Sequence, residues 1–182
     1  MKKPIIINLY GAPGAGKSTG GAYIYSNLKM KGVHVRMLWN EEIEDKTADE
    51  EQGLGNFASQ IEDDLLTIQR NYMPEVIINT MPIGQLVRND INLIDEYMVD
   101  ITDNSHSKNY LLLRVKPYRG DGRNHTEEES DDIGRYLRKY LNKLDVKYSA
   151  VGGHKEGYDC IIEDIIDTLN DIERYEQFER CY

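Results

Sequence analysis

Residues 5–18 read Ile5-Ile6-Ile7-Asn8-Leu9-Tyr10-Gly11-Ala12-Pro13-Gly14-Ala15-Gly16-Lys17-Ser18. The first six are a largely β-branched and apolar run that stops at a glycine, the composition of a buried strand. Lys17 to Met30 continues as a helix that stops at Gly32. Between the two lies a full match to G-x-x-x-x-G-K-[ST]. Glycines let backbone N–H groups curl around phosphate oxygens, and Lys17 can reach the β and γ phosphates as a mobile point charge. Ser18 offers a hydroxyl to Mg²⁺, while the helix that opens near Lys17 turns its positive end toward the same anion. The strand before and the helix after give the short pattern its meaning. Gly11, Ala12, Pro13, Gly14, Ala15, Gly16, Lys17, Ser18 and Thr19 are therefore the expected phosphate-binding residues, with Ser18 as the expected metal ligand.

Outward from this loop, apolar runs alternate with helical patterns. Val33 to Leu38 reads as a second strand and the acidic stretch Glu41 to Gln52 as an exposed connection. Phe57, Ile61, Leu65 and Ile68 lie on one helical face, Val76-Ile77-Ile78 forms a third strand, and residues 85–100 carry a weaker helical pattern. Tyr110 to Leu113 is a fourth strand. Thr126 and Glu129 fit a capping box opening a helix that runs to about Leu141. Val146 to Val151 is a fifth strand, Gly152-Gly153 a turn, and Tyr158 to Arg180 a last helix with Ile161, Ile165, Leu169 and Ile172 aligned. Strands separated by helices imply right-handed crossovers and a mainly parallel five-stranded sheet covered on both faces, a three-layer α/β fold. Residues 1–182 are expected to form a single domain.

The chain carries 32 Asp plus Glu against 22 Lys plus Arg, a formal charge of −10 in 182 residues. That balance disfavours nucleic acid as a partner, since each phosphate contact needs a local cation. No apolar run approaches the roughly twenty residues needed to cross a bilayer, so a cytoplasmic setting with no membrane partner is the default expectation. Cys160 and Cys181 have no metal-ligand spacing and read as reduced thiols, and His34, His106, His125 and His154 suggest no metal site. The charge is uneven. Residues 1–40 hold six cations and no acid, and residues 108–123 hold Lys108, Arg114, Lys116, Arg119 and Arg123 against Asp121. Two cationic islands in an acidic chain point to a small anionic ligand held locally.

The second island is a loop, Arg114-Val115-Lys116-Pro117-Tyr118-Arg119-Gly120-Asp121-Gly122-Arg123, at the end of the fourth strand, where ligands of open α/β sheets gather. Residues 114–125 are expected to act as a lid that closes over a triphosphate. It would place Lys116 on the phosphates, and Arg114, Arg119 and Arg123 on the charge that spreads in phosphoryl transfer.

The opening strand and loop, the tract Leu112-Leu113-Arg114-Val115-Lys116-Pro117-Tyr118, and Gly122-Arg123-Asn124-His125-Thr126-Glu127-Glu128-Glu129 together resemble the NadR-like AAA-type P-loop domains, many of them small single-domain proteins of tailed phages. The resemblance spans about residues 5–170. It implies a P-loop NTPase fold of the nucleoside and nucleotide kinase type, Mg²⁺ and ATP as cofactors, phosphoryl transfer to a small hydroxyl or phosphate acceptor, and a host cytoplasm if the chain is phage-encoded. In kinases of this type a carboxylate after the second strand faces the acceptor, which makes Glu41 the first candidate base and Asp45 the second, with Glu42 and Glu44 as neighbours. Members usually carry Asp-Ser-Pro after the third strand. Here the tract is Asn79-Thr80-Met81-Pro82, so Thr80 stands in the aspartate's place and supplies no charge. The rival readings are a kinase acting on a modified base or end in DNA, and a nucleotide-binding regulator or slow NTPase.

Overall fold

The computed structural model describes residues 3–38, 63–64, 66–68, 70–80, 106–119 and 125–180. Along them run β1 (Ile5–Tyr10), α1 (Lys17–Met30), β2 (Val35–Leu38), β3 (Val76–Asn79), β4 (His106–Leu113), α2 (Glu127–Lys143), β5 (Ser149–Gly152) and α3 (Lys155–Arg180). The five strands form one sheet in the order β2-β3-β1-β4-β5, and every neighbouring pair is parallel. β1 lies in the middle, with all six residues buried, which is why its sequence is a continuous run without the alternation of a half-exposed strand.

Alternation along the strands sends Ile5, Ile7 and Leu9 to one face, where they join Val35, Val76, Ile78, Tyr110 and Leu112 in a core with Ile24 and Leu28 of α1 and Ile161, Ile165 and Leu169 of α3. Asn8 points to the other face. Parallel register sets it beside Asn79 of β3 and Asn109 of β4, and the three amides form a row. Asn79 donates to Asn8 Oδ1 at 3.1 Å, Asn8 donates to Asn109 Oδ1 at 2.9 Å, and the hydroxyl of Tyr10 reaches the same Oδ1 at 3.2 Å. A buried amide without a partner costs about 1–3 kcal/mol. Sliding β1 by one residue would take Asn8 out of line with both Asn79 and Asn109, so the row pins the register of the three central strands.

Several boundaries differ from the sequence expectation for identifiable reasons. β2 begins at Val35 because the Val33 amide is spent on Leu28 O at 3.0 Å, closing α1 after Gly32 at φ +85°. β5 begins at Ser149 because the Val146 amide likewise bonds Leu141 O at 3.0 Å. β4 is twice as long as its apolar part: the polar residues His106 to Asn109 pair with Ile5 to Asn8 of β1, beyond the reach of β5. The α2 capping box is present, with the Thr126 side chain accepting from Glu129 N and the Glu129 carboxylate accepting from Thr126 N. Residues 63–64, 66–68 and 70–72 are helical, whereas the rest of the expected 57–68 stripe, the 41–52 connection and the 85–100 pattern lie outside the described residues. No helix among the described residues is long and apolar enough to cross a membrane.

Candidate functional site

The strand order decides where a ligand can sit. From β1 the chain passes through α1 to β2 on one side, and from β3 it crosses β1 to β4 on the other. The carboxyl end of β1 is thus a point where connections diverge and leave a crevice. Gly11 to Ser18 occupies that end. Within it the Ala15 amide bonds Ala12 O at 3.0 Å, closing a turn whose central residues are Pro13 and Gly14. Gly14 lies at φ +82° and Gly16 at +91°, conformations that a side chain would strain, and Gly16 is the N-cap residue of α1. Lys17 donates from Nζ to Gly11 O at 2.8 Å, so the ammonium curls back over the loop. Ser18 is half-buried in the first turn of α1, and Thr19 is exposed.

Three neighbours hold the loop from outside. The α3 residue Tyr158 is buried, which pushes its phenol above the ordinary value, and donates to Gly16 O at 3.0 Å. The turn between β5 and α3 lies so close that a Cβ on Gly153 would overlap Ala15 O. From α2, the buried Ser130 hydroxyl donates to Pro13 O at 2.7 Å, and Gly134 faces the Ala12 methyl. In α1, Gly20 and Gly21 admit the Tyr158 ring and the side chains of Met37 and Thr80. Glycine pairs at 20–21 and 152–153 were the available sequence signal for these approaches. Ser130, amid five acids in residues 127–132, had none.

The expected lid cations separate into groups. Arg114 is mostly buried and pairs with Asp131 at 2.6 Å and Glu127 at 3.2 Å on the first turns of α2, with its guanidinium 5.3 Å from the Tyr118 ring centroid. Its Nη1 is buried without a hydrogen bond. Lys116 and Arg119 are exposed. The Tyr118 hydroxyl donates to His125 O, tying together the ends of the intervening segment. Arg123 lies outside the described residues, as do Glu41, Glu42, Glu44, Asp45 and Trp39. Thr80 is buried, and its hydroxyl donates to Leu38 O at 3.4 Å, bridging the ends of β3 and β2. Beyond the loop, the ring of His154 and Val115 flank Gly152, and His154 Nδ1 is buried without a partner.

Lys108 leaves the cationic island altogether. It bonds both carboxylate oxygens of Asp164 at 3.0 and 3.3 Å in a cleft of about 440 Å³ between β4, β5 and α3, and the Tyr110 hydroxyl donates to the same carboxylate. Burial, then the hydrogen bond and charge of Asp164, push the Tyr110 phenol far up. For Asp164 itself burial pushes upward, but the Tyr110 and Lys108 donors outweigh it and hold the carboxyl below its ordinary value.

No family model matches the chain, and no curated protein matches it. Solved structures do. Thymidylate kinase from Ehrlichia chaffeensis superposes with a TM-score of 0.58 at 14% identity, over 92% of this chain and 100% of its own. Shikimate kinase from Acinetobacter baumannii, in complex with shikimate, gives 0.55 at 14% identity over 93% and 94%. The fold is that of the P-loop kinases. In this P-loop kinase fold the loop sits at the end of the central strand, and the segment expected to act as a lid leaves β4 beside it. Among the described residues no three His, Cys, Asp or Glu side chains could hold a metal ion. The donor suited to Mg²⁺ is the Ser18 hydroxyl, which makes no hydrogen bond among the described residues. Mg²⁺ keeps several waters and phosphate oxygens as ligands, so one protein oxygen fits it.

Proposed function

We propose that this protein is a kinase that transfers the γ-phosphoryl group of Mg-ATP to a small acceptor of nucleoside or nucleotide type. The observation that carries the reading is the loop Gly11 to Ser18 at the divergence point of the sheet, beside a lid segment whose root, Arg114, is fastened to α2. Phosphoryl transfer asks the protein mainly for positioning and charge neutralisation. Gly11 to Thr19 would cradle the phosphates, Lys17 would leave Gly11 O for the β and γ oxygens, and Ser18 would hold Mg²⁺. Lys116, Arg119 and Arg123 would cover the transferred group from the lid. Arg114, engaged by two carboxylates through Nη2, would act chiefly as the lid's anchor, with Nη1 as a buried donor left for a ligand. Glu41 or Asp45 would accept the acceptor's proton. Residues 1–182 would work as one domain with a lid at about 114–125, in the cytoplasm. The two structural neighbours share the word kinase and differ in acceptor, so acceptor choice must come from this chain's own residues.

The test is a screen of nucleosides, nucleotides, ribosylnicotinamide and DNA for ATP-dependent phosphorylation, with Lys17→Ala as control. Phosphorylated product from one acceptor, lost in Lys17→Ala, is expected. Thr80 favours a second reading, a nucleotide-binding regulator or slow NTPase, because it puts a neutral hydroxyl already bonded to Leu38 O where related proteins carry a carboxylate. ATP consumption that ignores every acceptor would select that reading.

A further inference from the structure

The turn inside the phosphate loop has two forms available, and one buried side chain chooses between them. Ala12-Pro13-Gly14-Ala15 is closed by Ala15 N to Ala12 O at 3.0 Å, with proline at the second position and Gly14 at φ +82° at the third. That combination is a type II turn; rotating the central Pro13–Gly14 peptide by half a turn would give type I, with Gly14 at negative φ. Glycine permits both. The carbonyl and N–H of one peptide plane point in opposite directions, so the direction of Pro13 O dictates where the Gly14 amide aims. Pro13 O is held by the Ser130 hydroxyl at 2.7 Å, on a residue of α2 with no exposed surface. One turn later, a Cβ on Gly134 would lie 3.3 Å from the Ala12 Cβ, so the helix rests directly on this arm of the loop.

We propose that Ser130 is a positioning residue that locks the Pro13–Gly14 peptide in the type II orientation and so turns the Gly14 amide away from α2 to donate to a bound phosphate. The inference rests on the reading of Gly11 to Ser18 as a phosphate site and adds a residue to it. Turning the peptide over would withdraw the acceptor from a hydroxyl that water cannot reach, so the flip is suppressed while Ser130 is present. The same helix is held by Arg114 and carries the end of the lid segment at His125 and Thr126. The shape of the phosphate cradle and the seating of the lid therefore share one support.

Calorimetric titration of wild-type and Ser130→Ala protein with ATP and with inorganic tripolyphosphate tests this. The variant is expected to bind both about 5- to 10-fold more weakly, by the same factor, since one hydrogen bond in the phosphate site is what changes. In ¹⁵N spectra of the ligand-free variant the Gly14 amide is expected to shift or split, a change that general loosening elsewhere would not single out. Ser130→Cys, of similar size with a weaker donor, should fall between the two and serves the comparison if the alanine variant does not fold. A folded variant with unchanged tripolyphosphate affinity overturns the proposal, as does a loss confined to ATP, which would place the effect on the nucleoside. Wild-type protein that binds neither ligand overturns the phosphate-site reading itself, and the inference with it.

Discussion

Replacing Gly153 by alanine is the sharpest single test of how the site is assembled. A Cβ there would overlap Ala15 O, lie 2.9 Å from Ala15 C and 3.2 Å from Leu113 O, all backbone atoms with no side chain to swing aside. The Gly153 amide also donates to Leu113 O at 2.8 Å, so the turn cannot retreat without losing that bond. Forcing one methyl into such a contact costs about 1–3 kcal/mol. For a chain of this size each kcal/mol moves Tm by about 2–4 °C, giving a fall of about 2–12 °C. The strain has only two ways out, moving the β5–α3 turn or moving Ala15, and the second distorts the loop proposed to hold the phosphates. Triphosphate affinity should therefore fall together with Tm. Gly32→Ala is the control: it too has a positive φ, but nothing lies within 4 Å, so it should lower Tm by strain alone and leave ligand binding intact. Thermal melts and ATP titrations of the three proteins decide it. A Gly153→Ala variant with wild-type Tm and wild-type affinity would refute the close packing of turn against loop.

Other expectations follow from the same geometry. Arg114→Met should lower Tm by a few degrees through the loss of two partly exposed ion pairs, about 1–2 kcal/mol together, whereas Arg119→Ala should leave Tm unchanged and weaken only ATP-dependent turnover; a stable Arg114→Met protein with turnover reduced a thousandfold would show that its charge serves the reaction directly. Asp164 ionises more readily folded than unfolded, so its contribution is present above about pH 4 and is lost as pH falls through its lower folded value. Melts of Asp164→Asn and wild-type protein should therefore differ at pH 6 and converge in acid, and a constant gap would count against the Lys108 and Tyr110 contacts. Asn8→Ala should cost about 2–4 kcal/mol in urea unfolding, by removing the two amide hydrogen bonds that Asn8 makes in the buried row and opening a gap in the central strand. Asn8→Ala melting like wild type would mean that the amide row does not hold the sheet.

The elements most legible in the sequence were those whose neighbours are close along the chain. Ile5 to Tyr10, Lys17 to Met30 and the Thr126–Glu129 cap each carry their reason within a few residues: a β-branched run, a glycine stop, a reciprocal pair of side-chain bonds. The polar half of β4 was not legible, because His106 to Asn109 owe their strand conformation to β1, about a hundred residues earlier. Lys108 shows the same limit for charge. It belonged to the basic island by position, yet across the fold it answers to Asp164.

By itself the sequence determined that a glycine-rich loop with the pattern expected of a phosphate site follows a buried strand, because glycine spacing, a lysine and a helix start are local requirements met by consecutive residues. It also determined the α/β class, since alternating strands and helices leave few ways to cover a parallel sheet. Only the tertiary structure decided what supports that loop. Ser130, Gly134, Gly153 and Tyr158 stand more than a hundred residues from the loop atoms they touch, and apart from the glycine pair at 152–153 nothing in their own surroundings announces the contact. It likewise split the cations by partner, leaving Lys116 and Arg119 exposed while Arg114 went to α2. The physical reason is that hydrogen bonds, ion pairs and steric contacts act over a few ångströms in space, and a chain reveals them in sequence only when space and sequence coincide.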